Sequence, residues 1–141
     1  MKPHITVLTL GVDDLQRSVS FYRDGLGFAT KGIVGEGSDI GAVAFFDLQP
    51  GLKLALWPRR SLAIDAGLAP RGGKSPLEFS IGHNVLSDQE VDAVMEQARN
   101  AGATIAKEAR ATFYGGYAGY FQDPDGHLWE VVYNPGFHAL G

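Results

Sequence analysis

The stretch GYFQDPDGHLWEVVYNP, residues 119–135, decides how the second half of the chain folds. Its Pro124-Asp125-Gly126 step predicts a tight turn, and the apolar run after it predicts a strand. One carboxylate, Glu130, lies in the middle of that strand with apolar neighbours on both sides. Because a charge in such a strand is costly unless it is paired or hydrated, Glu130 needs either a partner or a function.

The composition is that of an ordinary globular domain. The chain has 141 residues, of which 45% are hydrophobic and 20% charged, so one domain is expected and disorder is not. The net charge is −4, and no basic stripe suggests nucleic-acid binding. The absence of cysteine excludes disulfides, zinc–thiolate sites and cysteine nucleophiles. Without a membrane-length or secretory segment, we expect a soluble cytoplasmic protein.

The chain repeats one order of elements: a strand, a helix and then three strands. Capping boxes mark both helix starts, Asp13 with Gln16 and Ser87 with Glu90. Periodicity and turn residues predict strands at 4–10, 29–34, 41–49 and 52–58 in the first half, and at 77–85, 103–108, 115–122 and 127–133 in the second. Residues 59–76 form the predicted linker, with one helical turn near 62–66.

Overlaying the halves predicts the direction of the Glu130 side chain. Gly51 falls on Gly126, and at the same offset Ala55 falls on Glu130. Leucines alternate with other residues in the strand at 52–58, so the leucine face should lie under a helix. Lys53 and Trp57 then share the opposite face with the position of Glu130. Glu130 is therefore expected to point away from the helix-covered core.

The tandem βαβββ order, the segment GVDDLQRSVSFYRDGLGF at 11–28 and the segment FQDPDGHLWEV at 121–131 together resemble the vicinal oxygen chelate superfamily. That superfamily includes glyoxalase I, extradiol dioxygenases, and fosfomycin and bleomycin resistance proteins. The resemblance covers nearly the whole chain. It implies an α+β fold in which two βαβββ modules, about 1–58 and 77–141, form a cup-shaped mixed sheet with the ligand inside, in one domain spanning 1–141.

Metal-using members of that superfamily place four ligands in the cup. Carried over by register, the positions are Val7, Ala55, Ser80 and Glu130. Only Glu130 is a good ligand, so the prediction is that no metal or other cofactor is bound. The alternative is a divalent metal held by Glu130 and His83, which requires a bulge at Gly82 because His83 otherwise points to the opposite face.

Several other side chains are candidates for ligand binding. Glu130 is a catalytic base, a carboxylate for a polar group of the ligand, or one half of a salt bridge to Lys53. Trp57 either stacks on a flat ligand or closes a dimer contact. Tyr114, Tyr117 and Tyr120 lie among glycines and either line an aromatic pocket or pack along a twisted edge strand.

These observations predict a protein that binds a flat or aromatic organic molecule without a catalytic metal. The resemblance to bleomycin resistance proteins implies sequestration of an antibiotic as one form of this function. One alternative is a metal-dependent enzyme of the glyoxalase or extradiol dioxygenase type. The other is a metal-free lyase or isomerase that uses Glu130 as base, with Lys53 or a tyrosine as the electrophilic partner. The resemblance also implies a homodimer whose ligand sites lie near the subunit contact.

Overall fold

The chain divides into two compact units, Met1–Gly73 and Lys74–Gly141. The computed structural model describes residues 1–38, 41–70, 77 and 79–136. Each unit contains a four-stranded mixed sheet and at least one helix, which confirms the predicted α+β class and its two repeated modules. Part of the predicted linker, residues 71–76, lies outside the described residues.

The first unit follows the predicted order of elements. Its sheet has the order β1-β4-β3-β2, with β1 parallel to β4 and the other neighbours antiparallel. The helix α1 continues directly into a π-helical turn. The bounds are β1 Val7–Val12, α1 Leu15–Ser20, the π-helical turn Phe21–Gly25, β2 Thr30–Val34, β3 Val43–Asp47, β4 Lys53–Pro58 and α2 Arg59–Ala66.

The start of α1 differs from the predicted capping box by one residue. The N-cap is Asp14, whose carboxylate accepts a hydrogen bond of 3.0 Å from the backbone N–H of Arg17. Asp13 instead forms an ion pair with Arg59 at the start of α2. The prediction that Asp13 caps α1 was therefore wrong. Two adjacent aspartates offer the same capping chemistry, and only the end of β1 at Val12 selects between them.

The helix α2 is longer than the single turn predicted from the sequence. It occupies eight residues and ends at Gly67, whose φ of 73° satisfies the left-handed conformation of a C-cap. None of the residues of this helix is buried, so it presents no apolar stripe to the core and hydrophobic periodicity gave a weak signal. No helix in the described ranges combines the length and the apolarity needed to span a bilayer.

The second unit repeats the arrangement. Its sheet has the order β5-β8-β7-β6, with β5 parallel to β8. The predicted cap of α3 is confirmed, since Ser87 Oγ accepts from the Glu90 N–H at 3.1 Å. The Glu90 carboxylate accepts in turn from the backbone of Leu86 at 2.7 Å. The bounds are β5 Ser80–Val85, α3 Asp88–Ala101, β6 Thr104–Ala111, β7 Tyr117–Gln122 and β8 Leu128–Tyr133.

Each unit buries the face of its sheet that the alternation predicted. In the first, Leu54 and Leu56 are completely buried together with Tyr22 of the π-helical turn. In the second, the rings of Phe121 and Trp129 stack 5.9 Å apart. The helix α3 contacts both of their strands through its buried apolar residues, Val91, Met95 and Ala98. These apolar faces supply most of the driving force for folding.

Candidate functional site

Strand pairing places the two halves of the repeat in the same register. In the first unit Phe45 of β3 lies opposite Ala55 of β4. In the second unit Tyr120 of β7 lies opposite Glu130 of β8. The same hairpin therefore carries an apolar pair in the first module and a polar, hydrogen-bonding pair in the second.

Tyr120 is the partner of the Glu130 carboxylate. The Tyr120 hydroxyl donates a hydrogen bond of 2.9 Å to Glu130 Oε2, and both residues are half-buried. Burial raises the pKa of Tyr120, and the hydrogen bond to the neighbouring carboxylate raises it further. The phenol therefore stays protonated and acts as a donor at neutral pH. This bond occupies only part of the acceptor capacity of the carboxylate.

A cavity of about 540 Å³ lies beside this pair on the open face of the second sheet. Tyr120 belongs to both the cavity wall and the pair. The other contributing side chains are largely apolar, and Phe79 at the entry to β5 is 56% exposed. The remaining lining residues are Leu77, Ser80, Ala106, Lys107, Gln122 and Leu128. An apolar pocket with a few oriented polar groups is the usual form of a small-molecule site.

The structure separates the three tyrosines that were grouped from the sequence. Tyr117 and Tyr120 are three residues apart on one strand, so their side chains lie on opposite faces. The Tyr117 hydroxyl donates to Asp92 of α3 at 2.8 Å, which places it on the helix side. Tyr114 lies in the turn before β7, with its ring 5.2 Å from that of Phe113. Tyr114 is close enough to Tyr120 to contribute to its raised pKa, and Tyr120 is the tyrosine whose hydroxyl donates to Glu130.

Lys53 and Trp57 belong to the first unit. Lys53 Nζ forms an ion pair of 2.6 Å with Asp47 Oδ1 on the neighbouring strand. Each of the two charged groups has a partner within its own unit, Lys53 with Asp47 and Glu130 with Tyr120. Trp57 is half-buried and lies opposite Gly11 of β1. Alternation places Lys53 and Trp57 on one face of β4, as predicted.

His83 does not share a face with Glu130. Strands β5 and β8 pair without interruption, so that Gly82 lies opposite Glu130 and His83 lies opposite Val131. The bulge that would have turned His83 towards Glu130 is therefore absent from Ser80–Val85. Although the residue is exposed overall, nearby atoms desolvate the ring and lower the pKa of His83, while the carboxylate of Glu90 acts in the opposite direction.

The four positions that hold the metal in metal-using relatives do not fit a metal here. Val7 and Ala55 have no donor atom, and Ser80 offers only a hydroxyl. One carboxylate does not hold a divalent ion against water. Across the described ranges, no three side chains among His, Asp and Glu form a group that could hold a metal ion.

Sequence reasoning identified Glu130 and Tyr120 separately but did not pair them. The structure supplies the missing register, because Asp123 N–H donates to the His127 carbonyl at 3.0 Å and so fixes the closing pair of the hairpin. Counting outward from that pair sets Gln122 opposite Leu128 and Tyr120 opposite Glu130. No sequence pattern indicated Lys107 and Gln122, which also line the cavity.

Comparison with known proteins agrees with this geometry. A glyoxalase-related enzyme from Fulvimarina pelagi is 35% identical, with a TM-score of 0.82 over 99% of this chain and 95% of that one. A glyoxalase/bleomycin resistance protein/dioxygenase from Nocardioides is 25% identical, with a TM-score of 0.77 over 100% and 89%. The lactoylglutathione lyase from Agrobacterium tumefaciens shares the fold at 23% identity, with a TM-score of 0.69 over 98% and 100%. The family model matches residues 3–131, and the chain therefore belongs to the Glyoxalase/Bleomycin resistance protein/Dioxygenase superfamily.

Proposed function

We propose that the protein binds a small, flat or aromatic organic molecule on the open face of its second sheet, without a catalytic metal. The observation that carries this proposal is the hydrogen bond between Tyr120 and Glu130 beside a largely apolar cavity. The ring of the ligand lies against apolar side chains such as Phe79 and Leu128, and a donor group of the ligand reaches Glu130. An amine or a hydroxyl is the matching group.

The energetic argument favours Glu130 as the main source of specificity. A hydrogen bond to a charged group contributes about 1.5–3 kcal/mol. Ring contacts contribute about 0.5–1.5 kcal/mol beyond area burial. Tyr120 orients the carboxylate before the ligand arrives, which lowers the entropy cost of binding. Removing Glu130 should therefore weaken binding more than removing one ring.

The test is calorimetric titration of paired planar compounds that differ only in an amine or a methyl group. The amines should bind more tightly to the unmodified chain, and Glu130→Gln should remove about tenfold or more of that affinity. Tyr120→Phe should weaken the affinity for the amines several-fold. Glu96→Gln, on the exposed side of α3, is the matched control and should leave the affinity unchanged. Equal affinity of both members of each pair, or binding unchanged in Glu130→Gln, would contradict the proposal.

The same hydrogen bond also supports a second candidate, a metal-free lyase or isomerase. In that reaction Glu130 removes a proton next to a carbonyl group, and the Tyr120 hydroxyl moves its hydrogen bond from Glu130 to the oxygen that becomes negative. Lys53, whose present partner is Asp47, is the other electrophile considered. Deuterium exchange at carbon, followed by NMR on a panel of small carbonyl compounds, tests this candidate. Exchange that persists in Glu130→Gln would exclude Glu130 as the base.

A metal-dependent glyoxalase or dioxygenase reaction is not favoured, because Val7, Ala55 and Ser80 supply no adequate ligands. Antibiotic sequestration in the cytoplasm is the biological role that we attach to metal-free binding. We also propose a homodimer, which the resemblance implies. Leu86, which is 80% exposed, and Phe113, which is fully exposed, are large apolar side chains that a subunit contact would cover. Trp57 and Tyr114 remain candidates for ligand or subunit contacts.

A further inference from the structure

A row of side chains crosses the second sheet and ends at a lysine. Strand pairing places Glu130 of β8 opposite Tyr120 of β7, and Tyr120 opposite Lys107 of β6. Tyr120 and Lys107 both line the cavity of the second unit. Because neighbouring strands lie about 4.8 Å apart, Glu130 and Lys107 belong to backbones about 10 Å apart. The row therefore has a carboxylate at one end, a phenol in the middle and an ammonium group at the other end.

Lys107 belongs to this face only because β6 is bulged. The pairing with β7 shifts register between Ile105 and Lys107, so that one extra residue on β6 brings Lys107 opposite Tyr120. In a regular ladder Lys107 would lie opposite Gly119, on the side of the sheet that faces α3. Ala106 and Lys107 both line the cavity although they are adjacent, which regular alternation does not allow. Bulges redirect side chains in this way, often beside binding sites.

Both charged ends of the row are accessible to a ligand. The Tyr120 hydroxyl donates to Glu130 at 2.9 Å and leaves acceptor capacity on the carboxylate. Gly82, opposite Glu130 on β5, has no side chain. Beyond its chain neighbours, the nearest described atom to a Cβ placed there is Asn84 Oδ1, at 4.0 Å. At the other end, no ion pair joins Lys107 to another residue within the described part of the chain.

We propose that this row selects a zwitterionic aromatic ligand, which places an ammonium group at Glu130 and a carboxylate at Lys107. The ring of the ligand lies over Tyr120, between the two charged groups. This inference rests on the proposed binding at Glu130 and adds Lys107 as a specificity-determining residue. An aromatic amine without a carboxylate leaves Lys107 unused and should bind less tightly.

A structural role of Lys107 makes a different prediction. Strand β6 is the last strand of its sheet, and lysines and bulges on such strands discourage pairing with other chains. A lysine that only protects the edge would affect self-association and would leave ligand selectivity unchanged. The two explanations are therefore separated by measuring affinity and association on the same variants.

The experiment titrates three probes of similar shape into the full chain by calorimetry at neutral pH. The probe para-(aminomethyl)benzoate carries both charges, para-methylbenzylamine only the ammonium group, and para-methylbenzoate only the carboxylate. We expect the zwitterion to bind several-fold more tightly than the amine, a modest gain because an exposed ammonium group is hydrated. Lys107→Gln should remove this advantage, weaken para-methylbenzoate and leave the amine unchanged. Lys107→Arg should keep the advantage, because it keeps the charge.

The matched control is Arg110→Gln, which removes a positive charge from the same strand. Arg110 is not among the described residues that line the cavity, so all three affinities should stay unchanged. Equal losses in Lys107→Gln and Arg110→Gln would overturn the assignment, since a general positive field would then explain the selectivity. Thermal unfolding followed by circular dichroism confirms that each variant is folded.

The remaining outcomes separate this inference from the proposed function. Equal affinity for the zwitterion and the amine, or an advantage that persists in Lys107→Gln, would overturn the role of Lys107 and leave binding at Glu130 standing. Unchanged affinities together with stronger self-association of Lys107→Gln, measured by sedimentation, would assign the lysine to edge protection. Amine binding that Glu130→Gln does not weaken would overturn the proposed function and this inference with it.

Discussion

Asp123 should be one of the most sensitive positions of the second unit, because its carboxylate holds the turn that precedes Glu130. The side chain is only 3% exposed. Its Oδ1 accepts hydrogen bonds from the backbone N–H of Asp125 at 2.9 Å and of His127 at 2.8 Å. The N–H of Gly126 closes the same turn on the Asp123 carbonyl at 3.0 Å. Replacing Asp123 by alanine therefore removes the acceptor of two backbone donors, one buried and one partly buried.

The expected loss follows from those two bonds. A hydrogen bond to a charged group contributes about 1.5–3 kcal/mol. Because water enters part of the space that alanine leaves, we expect Asp123→Ala to lower the free energy of unfolding by about 2–4 kcal/mol. Asp123→Asn keeps a neutral oxygen at the same place and should cost about half as much. The whole free energy of unfolding of a domain of this size is only about 5–15 kcal/mol.

Urea titration followed by tryptophan fluorescence measures both values, since Trp129 is buried in the second unit and reports its unfolding. The slope of the transition should stay unchanged while its midpoint falls. Asp65→Ala, on the exposed helix α2, makes the same substitution without a buried acceptor and should stay within about 0.5 kcal/mol of the unmodified chain. A loss below about 0.5 kcal/mol in Asp123→Ala, or equal losses in the alanine and asparagine variants, would refute this reasoning.

Four further results are expected. The pKa of Tyr120 is raised in the folded state, so its contribution to stability is intact below the unfolded value of about 10 and is lost as the pH rises through the folded value. The melting temperature of Tyr120→Phe should therefore fall less steeply at alkaline pH than that of the unmodified chain. The purified protein should contain no stoichiometric divalent metal by elemental analysis, and about one ion per chain that Glu130→Ala removes would contradict this. Sedimentation at micromolar concentration should give a dimer, and a monomer alone would count against it. The double variant Tyr120→Phe with Glu130→Ala should unfold within about 1 kcal/mol of the unmodified chain, while Tyr120→Phe alone should be less stable, as urea titration would measure.

The elements of the fold could be predicted because each one carries local signals. Ser87 caps α3, and alternation in β4 separates Leu54 and Leu56 from Lys53. These signals depend on spacing within one segment, so they are readable without the partner strand. The shift of the first cap from Asp13 to Asp14 and the extra turn of α2 are errors at segment ends, where competing side chains offer equal chemistry.

The partners of the charged side chains could not be predicted in the same way. Lys53 pairs with Asp47 and Glu130 with Tyr120, and both contacts join neighbouring strands. Predicting these two contacts requires the register of each hairpin, which composition does not reveal. The three tyrosines were grouped by composition, although the parity of Tyr117 and Tyr120 already assigned them to opposite faces.

The repeat itself shows what the fold does and does not require of Glu130. The first unit builds the same hairpin with Phe45 opposite Ala55, so a β-sheet of this register forms without a carboxylate or a phenol. Within the second unit, Tyr120 and Glu130 satisfy each other, and replacing both partners of such a pair by apolar groups is often nearly neutral for stability. Because the fold does not need this pair, while Tyr120 lines a cavity and the Glu130 carboxylate retains acceptor capacity, we propose that the pair serves a ligand.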